Sequence, residues 1–525
     1  MKTVRFQLDA ERLIMSGVNT AARLAETVIG PGGRSTIVER PHASPLSVAG
    51  GYEICLALTL GDRGAQAGVQ MLREMTWRVR DAVGDGTATS VILARSMAHW
   101  LLRGKAAGFA AADLSSSFRR QSTTLLESLS TMGKPVEDSA DVVRVACFAA
   151  RGDLQIAERT ASIYAEVGQA GFIETRTSER LEDNITLHRG VSFPAKLALL
   201  EFSHGLNDFK IENPIIIVNN GTIQDLRPIV RILEMMAKAG RSLLIAASGF
   251  EGEALSTLLQ NRQHNGLTIM PVVPTDIGRW RELALQDLSL LTGSALIDPS
   301  VGLCLTSLRP EMVGNAVDVC FARGNLSIRG GKGDPKHIAN RVNEIHMQIA
   351  KERDLSFDCE QHRRRLARFG AGMVTWDVGG RSEQEIDMKL ALIKKTVAAV
   401  WQAGQGGIAP GGGLGLIAAH EVARVGSIRT EADKFVDHAL SKIVHRPLEA
   451  MARNAGRDVD HFLECLNAEH HAKDLVRIGA RKKPVVYADP AAVLSTAFRC
   501  ASSCAASIIN LGAIVCEKGP EGYQH

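Results

Sequence analysis

A turn of two glycines, an aspartate and two threonines separates two helical patterns in the first quarter of this 525-residue chain. Apolar residues recur at three- and four-residue spacings over residues 65–83 and again over residues 91–102, which predicts a helix on each side. The unpaired backbone N–H groups at the start of the second helix, together with the helix dipole, favour an anion. The turn, residues 84–90 (GDGTATS), therefore has the features of a phosphate site.

Side chains of the turn have predicted roles of their own. Thr87 and Thr89 can cap the start of the second helix. Asp85 would repel a bare phosphate but can hold Mg²⁺ against one, because Mg²⁺ prefers one or two carboxylates plus phosphate oxygens. An ordinary capped helix–turn–helix also explains this segment, and it is the favoured interpretation while the turn is considered alone.

Two further glycine-rich segments adjoin helical patterns. Residues 29–34 (IGPGGR) end one pattern, and residues 404–413 (GQGGIAPGGG) lead directly into another. Glycine lets the backbone approach a ligand closely, although a Gly-Pro pair also ends a helix by itself.

Strand and helix patterns alternate between residues 214 and 297, which predicts an α/β domain. The apolar run at 214–218 is typical of a strand buried on both faces. The helical patterns at 226–239 and 251–263 carry more apolar residues than one sheet-facing stripe requires. This surplus indicates a groove for apolar partners, or equally a wider contact with the core.

Composition excludes several classes of protein. The 61 basic and 57 acidic residues nearly balance, and no dense basic block is present, so nucleic acid is not an expected partner. No apolar run reaches the roughly 18 residues of a membrane span. The N-terminus lacks a signal-peptide core, and the nine cysteines include no CxxC pair. A reduced, cytoplasmic protein without a membrane segment is expected.

Taken together and in chain order, these motifs resemble the group I chaperonins of the GroEL type from end to end. The motifs that carry the resemblance are Gly30-Pro31-x-Gly33-Arg34, Gly84-Asp85-Gly86-Thr87-x-Thr89, Lys238-Ala239-Gly240, Glu251-Gly252-Glu253-Ala254-Leu255, Leu285-Gln286-Asp287, Leu291-Thr292-Gly293, Pro410-Gly411-Gly412-Gly413 and Asp489-Pro490. The resemblance implies a multidomain α+β fold. A mostly helical equatorial domain (1–131 and 406–525) and an intermediate domain (132–188 and 374–405) would carry an inserted α/β apical domain (189–373).

The resemblance also implies cofactors and partners: ATP and Mg²⁺, with K⁺ as a further candidate, and unfolded polypeptides with a GroES-type co-chaperonin. Stacked seven-membered rings would be built from this chain alone or mixed with an active paralogue. The implied nucleotide-binding residues are Ile29, Gly30, Pro31, Asp85, Gly86, Thr87, Ala88, Thr89, Gly412 and Asp489, with Asp85 as the Mg²⁺ ligand. The implied polypeptide-binding residues are Leu197, Phe202, Val230, Leu233, Leu255 and Leu259.

Two positions depart from the family pattern. The family has hydrolytic carboxylates where this chain has Gly50 and Lys395, and no Asp or Glu lies between residues 388 and 420. Glu53 is expected on the opposite face of a strand from Gly50. Charged lysine cannot serve as a base, although it can pair with a γ-phosphate, and each loss typically costs about 10²–10⁴-fold in rate. No catalytic residue is assigned. Two functions stay open: an ATP-driven foldase, and a hydrolysis-deficient binding or scaffold subunit.

Overall fold

The computed structural model describes residues 2–40, 43–169, 172–188, 191–203, 208–225, 227, 230, 234, 240–265, 268–322, 324–352, 357–370, 373–424, 429–459 and 487–517. The chain forms two compact units. The first comprises Met1–Gln169, Thr175–Asp183 and Asp377–His525, and the second comprises Ala170–Glu174 and Asn184–Trp376. The predicted equatorial segments fall in the first unit and the predicted apical segment in the second. The finer three-domain division stays a prediction.

Long helices dominate the described part of the first unit. The helices are Gln7–Val28, Gly51–Ala57, Arg63–Val83, Thr87–Ala106, Ala111–Met132, Ser139–Ala149, Leu154–Val167, Glu383–Gly406, Leu414–Ala423, Glu431–Ile443, Arg446–Asn454 and Ala491–Ile509. Short strands accompany them at Lys2–Phe6, Thr36–Arg40, Ala43–Val48, Ile408–Pro410, Ala488–Pro490 and Ala513–Glu517. Three more strands, Phe172–Thr177, Asn184–His188 and Met373–Val378, lie where the chain passes between the units.

Small apolar side chains let the helices of the first unit pack closely. Ala21, Ala94 and Ala501 are fully buried in one core that draws on both ends of the chain. Within the described residues, Ala491–Ile509 is the one helix long and apolar enough to cross a membrane, and half of it is buried inside the unit. A core helix of a soluble protein meets the same criterion, so this helix is weak evidence for a membrane span.

The two chain ends meet in an antiparallel ribbon of the first unit. Lys2–Phe6 pairs with Ala513–Glu517, and Lys2 lies opposite Glu517. The alternating pattern at residues 4–8 predicts a strand, and the structure has it at Lys2–Phe6. The helical pattern at the other end predicts a helix over about 491–512, whereas the helix ends at Ile509. The second strand was therefore missed.

A nine-stranded sheet, counted over the described residues, forms the second unit. Its strands are Val191–Leu197, Asp208–Glu212, Ile215–Ile223, Leu243–Phe250, Ile269–Pro274, Leu296–Ile297, Gly314–Asn315, Asp318–Ala322 and Asn325–Arg329. Its helices are Glu253–Asn265, Arg279–Thr292, Pro335–Lys351 and Phe357–Gly370. Ile215–Ile223, Leu243–Phe250 and Ile269–Pro274 run parallel, which is the arrangement of an α/β domain. Most of the predicted helix at 226–239 lies outside the described residues.

Residues 338–368 have a charged helical pattern that predicts one long helix, and this prediction was wrong. The structure has two helices, and the first stops because the backbone of Glu352 is extended. No glycine or proline marks this stop in the sequence, so the helical periodicity carried the prediction through it.

A buried ion pair joins the second of these helices, Phe357–Gly370, to the helix Arg279–Thr292. Arg365 Nε and Nη2 donate to the two carboxylate oxygens of Asp287 at 2.8 and 2.9 Å, and both side chains are almost fully buried. The bidentate geometry compensates the loss of water around both charges. This contact gives the Leu285-Gln286-Asp287 motif a structural role.

Candidate functional site

The turn at residues 84–89 has the backbone geometry of an exposed helix start. Arg63–Val83 ends at Gly84, whose φ is +73°, and Gly86 precedes the next helix with a φ of +83°. Both values lie in the left-handed region that favours glycine. A Cβ on Gly86 would also approach Val493 Cγ1 to 2.8 Å. The glycines are therefore required by the turn itself.

The predicted capping role of the threonines was wrong. Thr87 is the first residue of the helix, and no side chain caps the helix at Gly86. The hydroxyl of Thr87 instead accepts a hydrogen bond from Gly51 N–H at 3.1 Å. The first amides of Thr87–Ala106 thus keep the anion-binding character that free helix starts have.

Gly51 lets a second backbone segment pack directly on this turn. A Cβ at residue 51 would lie 2.6 Å from the backbone of both Thr87 and Ala88. Such a separation is far below van der Waals contact, so only glycine fits unless the turn moves. The start of Gly51–Ala57 is therefore held against the start of Thr87–Ala106.

Glu53 fills the space that a side chain at residue 50 would occupy. Residues 51–57 are helical, so Glu53 lies in the first turn of a helix and not on the far face of a strand, as the sequence analysis expected. Its Oε2 lies 2.0 Å from where a Cβ on Gly50 would be. Its other oxygen lies 3.5 Å from Arg80 Nη1. A carboxylate from three residues later in the chain thus lies where a side chain at position 50 would begin.

Asp489 lies beside the third glycine-rich turn. Ile408–Pro410 pairs with Ala488–Pro490, which brings Ala409 opposite Asp489. Gly412 and Gly413 have φ values of +71° and +87° and lead into the helix Leu414–Ala423. Their N–H groups donate to the carboxylate of Asp489, which is buried.

The carboxylates of Asp489 and Asp85 influence each other. Burial raises the pKa of Asp489 to about 7, and the negative charge of Asp85 adds to this effect. The amides of Gly413 and Gly412 and the ammonium of Lys395 act in the opposite direction. The predicted residues Asp85, Gly412 and Asp489 therefore belong to one cluster.

Lys395 is the cation in contact with Asp85. It lies on the helix Glu383–Gly406, and its Nζ is 3.2 Å from Asp85 Oδ1. The same oxygen accepts a hydrogen bond from Gly86 N–H. A divalent ion at Asp85 would meet an ammonium already in place, so the described donor set does not fit Mg²⁺ as it stands.

Arg151 was missed by the sequence analysis. It follows Ser139–Ala149 in a left-handed conformation with a φ of +55°, and its guanidinium donates to the carbonyl oxygen of Ala49. Burial lowers the pKa of Arg151, while the charges of Asp85 and Glu53 raise it. An arginine in a short turn between two helices carries no sequence signal that relates it to residues 49 or 85.

Residues 29–31 border the same region through Arg151. A Cβ on Gly152, the neighbour of Arg151, would lie 3.6 Å from Pro31 Cβ. Asn454 Nδ2 donates to the carbonyl oxygen of Ile29 at 2.9 Å and holds this turn in place. Gly30 has a φ of +76°.

The predicted polypeptide-binding residues have different environments in the second unit. Leu197 and Phe202 are buried in its core, so the structure does not present them at the surface. Leu255 and Leu259 are partly buried against the core. Val230 is 41% exposed, and Leu233 lies outside the described residues.

Comparison with known proteins identifies the class of fold. No family model matches the sequence. The chain has the multidomain α+β fold of the GroEL-like chaperonins over its full length. Similar solved structures include the chaperonin gp146 from bacteriophage EL 2 (Pseudomonas aeruginosa), in the presence of ATP-BeFx. Its crystal form I has a TM-score of 0.64 and 17% identity, covering 98% of this chain and 99% of that one. Crystal form II has a TM-score of 0.58 and 16% identity at the same coverage.

Proposed function

We propose that this chain is an ATP-binding chaperonin subunit that binds non-native polypeptides. The convergence of the turns at 84–89 and 411–413 on Asp85, Asp489 and Lys395 carries the proposal. The start of the helix Thr87–Ala106 has free amides and lies near the side chains of Lys395 and Arg151. Amides and cations together are suited to a triphosphate. The use of ATP-BeFx with the phage chaperonin supports the same choice of ligand.

In this proposal each described group has one task. The amides at the start of Thr87–Ala106 bind phosphate oxygens, and Arg151 supplies a fixed positive charge beside Ala49. The Lys395 ammonium, in contact with Asp85, adds positive charge beside the phosphates, and no residue is assigned to Mg²⁺.

Slow hydrolysis is the second part of the proposal. Lys395 stands where the family has a carboxylate, and a protonated amine accepts no proton from water. Glu53 places a carboxylate near residue 50, but it places none near residue 395. A binding subunit with weak turnover, alone or in a ring with an active paralogue, is therefore favoured over a fast foldase. The proposed subunit belongs to group I and acts in the cytoplasm. It assembles into stacked rings that a GroES-type co-chaperonin closes.

Isothermal titration of the full-length protein with ATP tests nucleotide binding. Arg151→Gln should weaken binding about tenfold, because a charged phosphate contact is replaced by a neutral one. Arg144→Gln, in the preceding helix and paired with Asp141, is the matched control and should bind like the parent. Absence of ATP binding by the parent protein would refute the proposal.

Light scattering during aggregation of a denatured model protein tests polypeptide binding. The parent protein should suppress aggregation, and Val230→Glu should weaken the suppression because it places a charge on an exposed apolar surface. Ile277→Glu changes an apolar residue of the same unit that is 81% exposed and was not predicted to bind, so it serves as the control. Equal suppression by both variants would remove Val230 from the binding surface.

A further inference from the structure

Lys395 occupies the side of Asp85 where a metal ion would otherwise be sought. Its Nζ lies 3.2 Å from Asp85 Oδ1, and Asp85 is 14% exposed. The carboxylate thus has an ammonium group and the Gly86 amide as partners. Both partners come from the chain itself, so its negative charge is compensated before any ligand arrives.

A divalent cation would have to displace this ammonium or bind beside it. Two cations at one carboxylate repel each other, and the repulsion grows as water is excluded. Mg²⁺ also gives up its hydration water reluctantly and requires near-octahedral geometry. The contact between Lys395 and Asp85 therefore opposes metal binding at the Asp85 carboxylate, the group that would otherwise attract a divalent cation.

The ammonium group keeps donors for a second partner. A protonated lysine has three N–H donors, and the contact with Asp85 uses one. Lysine binds phosphate as a point charge, with no metal between them. The side chain is about one-third exposed, which leaves the group accessible to a ligand at the turn.

Resting on the proposed nucleotide binding, we propose that Lys395 is a built-in cation that replaces Mg²⁺ at Asp85. It neutralises this carboxylate and contacts the triphosphate, so ATP binds with little dependence on divalent metal. The carboxylate of Asp489 accepts hydrogen bonds from the N–H groups of Gly412 and Gly413. The positive charge of the same ammonium acts to lower the pKa of Asp489.

The test is the ATP affinity of the full-length protein by isothermal titration, in EDTA and in excess Mg²⁺. For the parent protein the two dissociation constants should agree within about threefold, because Lys395 supplies the charge in both conditions. In Lys395→Met, Asp85 is free for the metal, and affinity should become at least about tenfold stronger in Mg²⁺ than in EDTA. Lys394→Met, an exposed neighbour on the same helix, is the matched control and should keep the parental ratio.

A measurement without nucleotide gives a second readout. Mn²⁺ binding, followed by electron paramagnetic resonance, should be weak in the parent and stronger in Lys395→Met and Lys395→Gln. Parental ATP binding that requires Mg²⁺, or tight Mn²⁺ binding by the parent, would overturn the inference while leaving the nucleotide site in place. Failure to bind ATP in both buffers would refute the proposed function instead.

Discussion

Glu53 Oε2 lies 2.0 Å from the point where a Cβ on Gly50 would be. Gly50 itself is extended, with a φ of −113°, so its backbone accepts any residue. The restriction at position 50 is therefore the Glu53 carboxylate and not the chain conformation. Any attempt to restore an aspartate at position 50 has to account for this carboxylate.

We expect Gly50→Asp to destabilise the protein more in the presence of Glu53 than in its absence. Two carboxylates in one place repel each other, and neighbouring substitutions couple by about 0.5–3 kcal/mol. A double-mutant cycle of Gly50→Asp and Glu53→Ala in urea unfolding measures this coupling. Gly61→Asp is the control, because a Cβ at Gly61 meets no atom within 4 Å. Additive effects in the cycle would show that Glu53 moves away freely.

Gly51→Ala should damage the site more severely than Gly61→Ala. The new methyl group would meet the backbone of Thr87 and Ala88 at 2.6 Å, and a backbone cannot rotate away as a side chain can. Overpacking of this kind costs about 1–3 kcal/mol. Thermal unfolding should report the loss of stability, and titration with ATP should report a weaker site. A variant with parental ATP affinity would contradict the predicted role of this contact.

In the second unit, loss of one partner of the Asp287–Arg365 pair should be costly. Asp287→Ala leaves the buried Arg365 without its bidentate partner, and such changes cost about 3–5 kcal/mol. The double variant Asp287→Leu/Arg365→Met should recover part of this loss, because Arg365 no longer leaves an unpaired charge while the buried Arg368 keeps Asp276 as a partner. Urea unfolding followed by circular dichroism measures both variants. Asp225→Asn, in an exposed pair with Arg227, is the control and should change stability little.

Asp489 should make the stability of the ligand-free protein fall as the pH rises. Its pKa is about 7 in the folded state against 3.8 for the ordinary group, so the folded state retains the proton longer than the unfolded chain. The contribution of Asp489 to the free energy of unfolding is favourable below about pH 4 and is lost above about pH 7. The free energy of unfolding should fall by roughly 4 kcal/mol between these two limits. Asp489→Asn should flatten the curve, giving a variant more stable than the parent at pH 8. A parallel pair of curves would contradict the raised pKa.

The sequence predicted the regular elements of the fold well, because their patterns are local. The alternation of strands and helices between residues 214 and 297 gave the parallel strands of the second unit. Pairing of distant segments was harder. The alternating pattern at residues 4–8 predicts a strand, which the structure has at Lys2–Phe6, but no strand is predicted for its partner at 513–517. The apolar run AIVC at 513–516 has strand propensity, but it directly follows a long helical pattern, and its pairing with residues 2–6 depends on contacts that no local pattern encodes.

The candidate site shows the same limit. Asp85 and Asp489 were found through glycine-rich motifs, whereas Arg151 has no motif and reaches the site only through a left-handed turn. A strand at residues 52–54 would place Glu53 on the far face from Gly50, whereas the helix Gly51–Ala57 places its carboxylate beside Gly50. Such errors arise where side-chain direction, and not element type, decides the chemistry.

The ribbon of the two chain ends also constrains the order in which the protein can mature on the ribosome. Residues 2–6 find their partner strand only after residue 517 has been synthesised, whereas the second unit is nearly all contained in Asn184–Trp376. Domains generally fold as units during synthesis, and contacts between distant residues form slowly. The inserted unit is therefore expected to fold first, while the opening segment of the chain waits for the last one. The strand at residues 2–6 therefore stays unpaired through almost all of the translation of this chain.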